Sequence, residues 1–252
     1  MKSKKHFLLI TLLLGIILLS LGCNEKPLKQ SKPKNKAPKQ QRKQEKKGKP
    51  RKQSGGGKKI FMMGRSTMNG WLRTWSPEDP YKPIKKNNFT FIYKELSTPP
   101  DIVASVKDYL KEADSDTIIF FKLCFEDFTG GSKEEARANR LRNQGYVKQV
   151  YDEVVTKKHL KLIIGNALPQ VEQVTDEFMV DNHKLYNEWL EDFAGEHQGE
   201  VYIFDQYEVL AGEDGSLKTE YETSADDSHP NEAGYEAMDK PFFELLQEAN
   251  TP

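Results

Sequence analysis

Five short apolar runs, spaced by segments of helical character, constrain this chain more than any other feature. They are "KKIFMMG" (Lys58–Gly64), "FTFIYKEL" (Phe89–Leu96), "TIIFFKLCF" (Thr117–Phe125), "LKLIIGNAL" (Leu160–Leu168) and "VYIFDQY" (Val201–Tyr207). The first, third and fourth are nearly unbroken in Ile, Phe, Met and Leu, the pattern of strands covered on both faces. Between them stand "DIVASVKDYLKEA", "SKEEARANRLRNQGYVKQVYDEVVTKK" and "TDEFMVDNHKLYNEWLEDFAGE", and "NEAGYEAMDKPFFELLQEA" closes the chain. In the first of these, Ile102, Val106, Tyr109 and Leu110 share one helical face. Strand–helix alternation of this kind predicts a parallel sheet with helices on both sides.

The N-terminal region cannot belong to that sheet. A basic "MKSKK" precedes the 16-residue apolar run Phe7–Gly22, which is short for a bilayer span of roughly 20 residues and ends at Gly22-Cys23. Between Asn24 and Lys59 there are 15 Lys and Arg against 2 Glu, and scarcely an aliphatic side chain larger than alanine. Such a segment cannot bury a core and is expected to act as a disordered tether. Residues 60–252 carry the opposite balance, 20 basic against 36 acidic residues. The expected organisation is a signal segment over 1–22, a tether over 23–58 and one folded domain over 59–252. The tether's lysines suit an anionic leaflet or wall polyanion. Nucleic acid is not expected, because no aromatic residues are interleaved with them. With Cys124 alone in an apolar strand, no disulfide is available to the domain.

In a parallel sheet, chemistry gathers at the carboxyl ends of the strands. After the first run stands "GRSTMNGW", which has two readings: a turn or helix cap, or Ser66 as an exposed nucleophile with its N–H at a helix N-terminus. Near the chain end stands "DDSHPNEAGY" (Asp226–Tyr235), in which His229 follows an acidic pair. That segment has two readings: a general base with its orienting acid, or a polar turn with Pro230 at the first helical position. A serine needs such a base to become nucleophilic, and both segments map to one sheet edge.

Taken together, "FMMGRSTMNGW" and "DDSHPNEAGY" resemble the first and last blocks of the SGNH/GDSL hydrolases, and "LLSLGC" resembles a bacterial lipobox. The family resemblance covers the whole folded domain. It implies a flavodoxin-like three-layer α/β/α sandwich on a five-stranded parallel sheet, with no metal or organic cofactor. It also implies Ser66 as nucleophile, His229 as base and Asp226 as the orienting acid. Asp227 is the competing carboxylate, but Asp226 has the family's spacing. The lipobox resemblance implies lipidation at Cys23 and an extracytoplasmic, membrane-anchored enzyme. Location and family analogy then suggest O-acyl esters on wall or capsular polysaccharide, or lipid esters, as substrates.

The chain departs from the family pattern in three places. Arg65 replaces the aspartate of Gly-Asp-Ser. "FIYKELSTPPD" has no counterpart to the second-block glycine, and the third block reads "CFEDF", with Glu126 where an asparagine donor is usual. A carboxylate facing an oxyanion opposes catalysis. Three arrangements would rescue the site alongside the Ser66 N–H: Glu126 turned away, Glu126 protonated, or a donor from Lys122 or Asn166. A binding or assembly protein with a degraded site, and an acyltransferase using the same triad, are the alternatives. Of the other groups, Trp71 and Trp75 fit a substrate cleft or plain packing equally well. Asp205 reads as a turn cap, and His183 and His197 as solvated helix residues. His159 falls at the opposite sheet edge, and the helix "KEEARANRLRNQ" reads as a solvated face.

Overall fold

The computed structural model of the protein describes residues 57–251; the expected signal segment, Cys23 and the expected tether up to residue 56 lie outside the described residues. The strands are β1 (Lys58–Gly64), β2 (Ile84–Lys86), β3 (Phe89–Glu95), β4 (Ile118–Lys122), β5 (Lys161–Gly165) and β6 (Val201–Phe204). They form one sheet in the order β2-β3-β1-β4-β5-β6. The five strands expected from the apolar runs are all present and mutually parallel. The sixth, β2, was not expected, and it pairs antiparallel with the edge of β3. Its three residues, Ile-Lys-Lys, are too few and too polar to stand out, and only pairing to β3 makes them a strand.

Because successive strand residues face opposite ways, the sheet builds two cores. On one face Phe61, Met63, Ile119, Phe121, Leu162 and Ile164 meet three helices, α2 (Ile102–Tyr109), α3 (Lys133–Tyr151) and α4 (Glu177–Glu196). On the other, Ile60, Met62, Phe91, Phe120 and Ile163 meet α1 (Ser66–Trp75), α5 (Gln206–Leu210) and α6 (Glu232–Ala249). Every residue of β4 is buried, which explains the apolar run Ile118–Phe121; the fifth buried residue is Lys122. Trp71 is wholly buried in the second core and stacks on Phe204; Trp75 packs beside it, and both indoles donate to Asp239. They are packing residues and do not line a cleft.

The last strands, β7 (Glu222–Ser224) and β8 (Asp227–Pro230), form a separate hairpin joined by Ala225 and Asp226. Pro230 therefore ends a strand, and it is Asn231 that caps α6, accepting from the Gly234 N–H at 3.0 Å. Among the described residues no helix is long and apolar enough to cross a membrane.

Strand order decides where a site can form. The chain runs from β1 outward to β3, then returns across β1 to place β4 on its other side. The segments leaving β1 and β4 thus diverge and leave a crevice at the sheet's carboxyl edge.

Candidate active site

Ser66 opens α1 directly after β1, and it is exposed. Gly64 permits the sharp change of direction, since a Cβ there would lie 2.8 Å from the Cβ of Met68. The Arg65 carbonyl starts the helix by accepting from Met68 N and Asn69 N, and the Tyr93 hydroxyl braces it at 3.2 Å. Arg65 gives no side-chain cap, so the Ser66 and Thr67 amides at the helix start have no partner among the described residues.

The hairpin carries the imidazole to this point. His229 Nε2 lies 2.8 Å from Ser66 Oγ, across 163 residues of sequence. At the other side of the ring, Nδ1 is 2.6 Å from Asp227 Oδ1, and the same oxygen accepts the His229 backbone N–H at 2.9 Å. First the backbone N–H and then the imidazole hold the Asp227 carboxyl below the usual carboxylate range. The Phe125 ring closes one side of the imidazole edge-on, with centroids 5.0 Å apart.

The carboxylate that meets the imidazole is therefore Asp227, where Asp226 was expected. Asp227 and His229 are two apart on β8 and share a face, whereas Asp226 lies in the two-residue turn. The Asp226 carboxylate is exposed and accepts instead from Ser224 Oγ at 2.7 Å. Spacing alone favoured Asp226; the register of the hairpin favours its neighbour.

Neither of the two side chains considered as extra oxyanion donors serves in that way. Asn166 directly follows β5 and is committed to the start of α5: its Nδ2 donates to Asp205 Oδ1 at 2.7 Å and its Oδ1 accepts from Tyr207 N. Asp205 caps α5 through the Glu208 N–H. Lys122 is fully buried beneath the site, with Nζ on the Thr67 hydroxyl. Glu126 is exposed and makes no hydrogen bond or ion pair among the described residues; its neighbour Phe125 is the one turned to His229.

Asp127 organises the turn after β4. One carboxylate oxygen accepts the Cys124 N–H at 2.8 Å, and the other lies 2.8 Å from Arg65 Nη2, off the axis of its N–H bonds, as an ion pair. The Asp127 carbonyl accepts from Asn139 Nδ2, Asn143 Nδ2 and Arg142 Nη2. Arg65 thus stands where the family has aspartate and pairs with the third block. The helix read as a solvated face buries Asn139 and Asn143 for this clamp. Their polarity masked the role, because an asparagine on a helix looks the same in sequence whether it faces water or a carbonyl.

The remaining histidines are elsewhere. His159 is exposed just before β5, at the opposite sheet edge. His183 is not solvated: it is fully buried beside Phe128 and Tyr207, and burial pulls it down to about 3. His197 is half-buried against Tyr151. No group of three potential metal ligands occurs among the described residues.

No protein-family model and no curated protein matches the sequence. Solved structures do. A GDSL-like lipase from Bacteroides thetaiotaomicron VPI-5482 superposes with a TM-score of 0.54 at 15% identity, over 77% of this chain and 87% of that one. The chain has the fold of the SGNH/GDSL hydrolases. An aryl esterase from M. smegmatis, solved with an inhibitor, superposes at 0.50 and 14% identity over 77% of this chain and 100% of that one. At such identities the likeness is one of fold, and in this SGNH fold the sheet gains the antiparallel strand β2.

Proposed function

We propose that this chain is a serine ester hydrolase using Ser66, His229 and Asp227. The observation that carries the reading is the unbroken run from Ser66 Oγ to His229 to Asp227, with steps of 2.8 and 2.6 Å, at the carboxyl edge of the sheet. In the mechanism, His229 Nε2 takes the Ser66 proton as Oγ attacks the ester carbonyl. Asp227 keeps the remaining proton on Nδ1 and balances the imidazolium. The oxyanion develops beside the Ser66 and Thr67 amides at the start of α1, which have no acceptor among the described residues. His229 then protonates the departing alcohol, and water, activated by the same base, releases the acid from the acyl-enzyme.

Lipidation at Cys23, an extracytoplasmic place on the membrane and a basic tether complete the proposal. They rest on the lipobox-like "LLSLGC" and the Lys-rich segment after it. An enzyme so placed would act on O-acyl esters of wall or capsular polysaccharide, or on lipid esters.

A fluorophosphonate probe tests the reading, because it labels only an activated serine. The full chain in detergent is expected to label, with labelling abolished in Ser66→Ala and His229→Ala. A folded wild type that does not label would point instead to a binding protein. The replacement of a donor by Glu126 is the feature that favours that second reading.

A further inference from the structure

Beneath the nucleophile lies a cation that the mechanism above does not use. Lys122 is the last residue of β4, and its side chain runs under the β1–α1 junction. Gly165 clears its path, since a Cβ there would lie 3.0 Å from Lys122 Cβ. The ammonium ends at the Thr67 hydroxyl, with the Leu123 carbonyl at 3.4 Å as its second contact. No carboxylate pairs with it among the described residues, since Asp127 is taken by Arg65. The space lined by Arg65, Ser97, Lys122 and Asp127 has no room for a water-sized sphere, so solvent does not relieve the charge.

A lone buried ammonium is costly to the fold, and a methionine of similar length would fit the same apolar channel. Its one strong contact is on the residue after the nucleophile. It also adds positive charge where the N-terminus of α1 already supplies it, while Asp127 balances Arg65. Two sources of positive potential therefore converge under the atom on which a hydrolase must stabilise an oxyanion, in a site whose third block presents Glu126. Perturbed buried cations beside a nucleophile are a recurrent mark of functional sites.

We propose that Lys122 and Thr67 are a positioning pair for the nucleophile: the ammonium fixes the Thr67 hydroxyl, and with it the first-turn amides, and places a buried positive charge behind the oxyanion. This rests on the hydrolase reading of Ser66. Burial pulls the ammonium down to about 8; Cys124 and Asp127, from the turn after β4, partly oppose this, and Arg65, from the β1–α1 junction, adds to it. The charge is present below that value and is lost as pH rises through it.

The test follows the rate of Ser66 phosphonylation by the fluorophosphonate between pH 6 and 10, together with Tm, on the full chain in detergent. Wild type should slow above pH ~8 as the ammonium deprotonates. Lys122→Met should label about 10- to 100-fold more slowly at pH 7, lose that alkaline limb, and melt no lower than wild type. Thr67→Val should slow labelling in the same direction while Thr67→Ser restores it, which keeps the test open if Lys122→Met fails to fold. The proposal is overturned if Lys122→Met or Thr67→Val labels at the wild-type rate, if slower labelling only tracks a lower Tm, or if the limb survives in a folded Lys122→Met. A wild type that does not label at all would overturn the hydrolase reading itself, and this proposal with it.

Discussion

The choice between Asp227 and Asp226 can be decided by two single substitutions, and its size follows from the geometry. Asp227 Oδ1 is 2.6 Å from His229 Nδ1, so the centres of the imidazolium and carboxylate charges are roughly 4 Å apart. The side chains are 35% and 44% exposed, which places the pair between water and a partly screened surface site. Coulomb's law then gives about 1 kcal/mol at the water limit and about 4 kcal/mol at an effective dielectric near 20. Removing the charge in Asp227→Asn should slow phosphonylation of Ser66 by roughly 5- to 1,000-fold. The amide of asparagine also favours the wrong imidazole tautomer, which pushes the loss toward the upper end. Asp226→Asn removes a carboxylate that accepts only from Ser224 Oγ in an exposed turn, so it should change the rate less than about 3-fold. The assay is the second-order labelling rate at pH 7.5, with circular dichroism to show that both variants fold. A large loss in Asp226→Asn with little in Asp227→Asn would refute the strand-register argument and return the role to the residue favoured by spacing.

Two further outcomes follow from buried polar groups. Arg65→Met leaves the nearly buried Asp127 carboxylate with the Cys124 N–H alone; urea unfolding should show a loss of about 3–5 kcal/mol, part of it recovered when Asp127→Asn is added. His183 is held neutral in the fold, at about 3 against 6.5 unfolded, so the unfolded chain binds the extra proton between those values. Stability should therefore fall by a few kcal/mol as pH drops through that window, and more shallowly in His183→Leu, which has nothing to protonate there. Equal slopes in the two proteins, from melting curves between pH 4 and 7, would count against a buried neutral His183.

Much of the fold is legible in the sequence because burial on both faces leaves a coarse signal. β4 is apolar from Ile118 to Phe121, and one segment of that kind is readable without a partner. β2 is not, since Lys85 and Lys86 become strand residues only through their pairing to Thr90 and Phe89. The same contrast runs through the site. Ser66 follows a readable strand and His229 precedes a readable helix, so both could be placed at the sheet's carboxyl edge from their neighbours in sequence. Phe125, Asn139, Asn143 and the Arg65–Asp127 pair gave no such signal: each acquires its role from a residue on another element.

The sequence by itself determined the five long strands, that these five run parallel, the helices between them, and that a serine and a histidine lie at one edge. Those properties follow from local periodicity and from the chemistry of single side chains. Only the tertiary structure decided that Asp227 rather than Asp226 meets the imidazole, and that Lys122 ends under Thr67 instead of opening to the substrate. Such choices turn on hairpin register and on the direction of a side chain between packed layers. A shift of one residue reverses the first, and the local sequence does not encode the second.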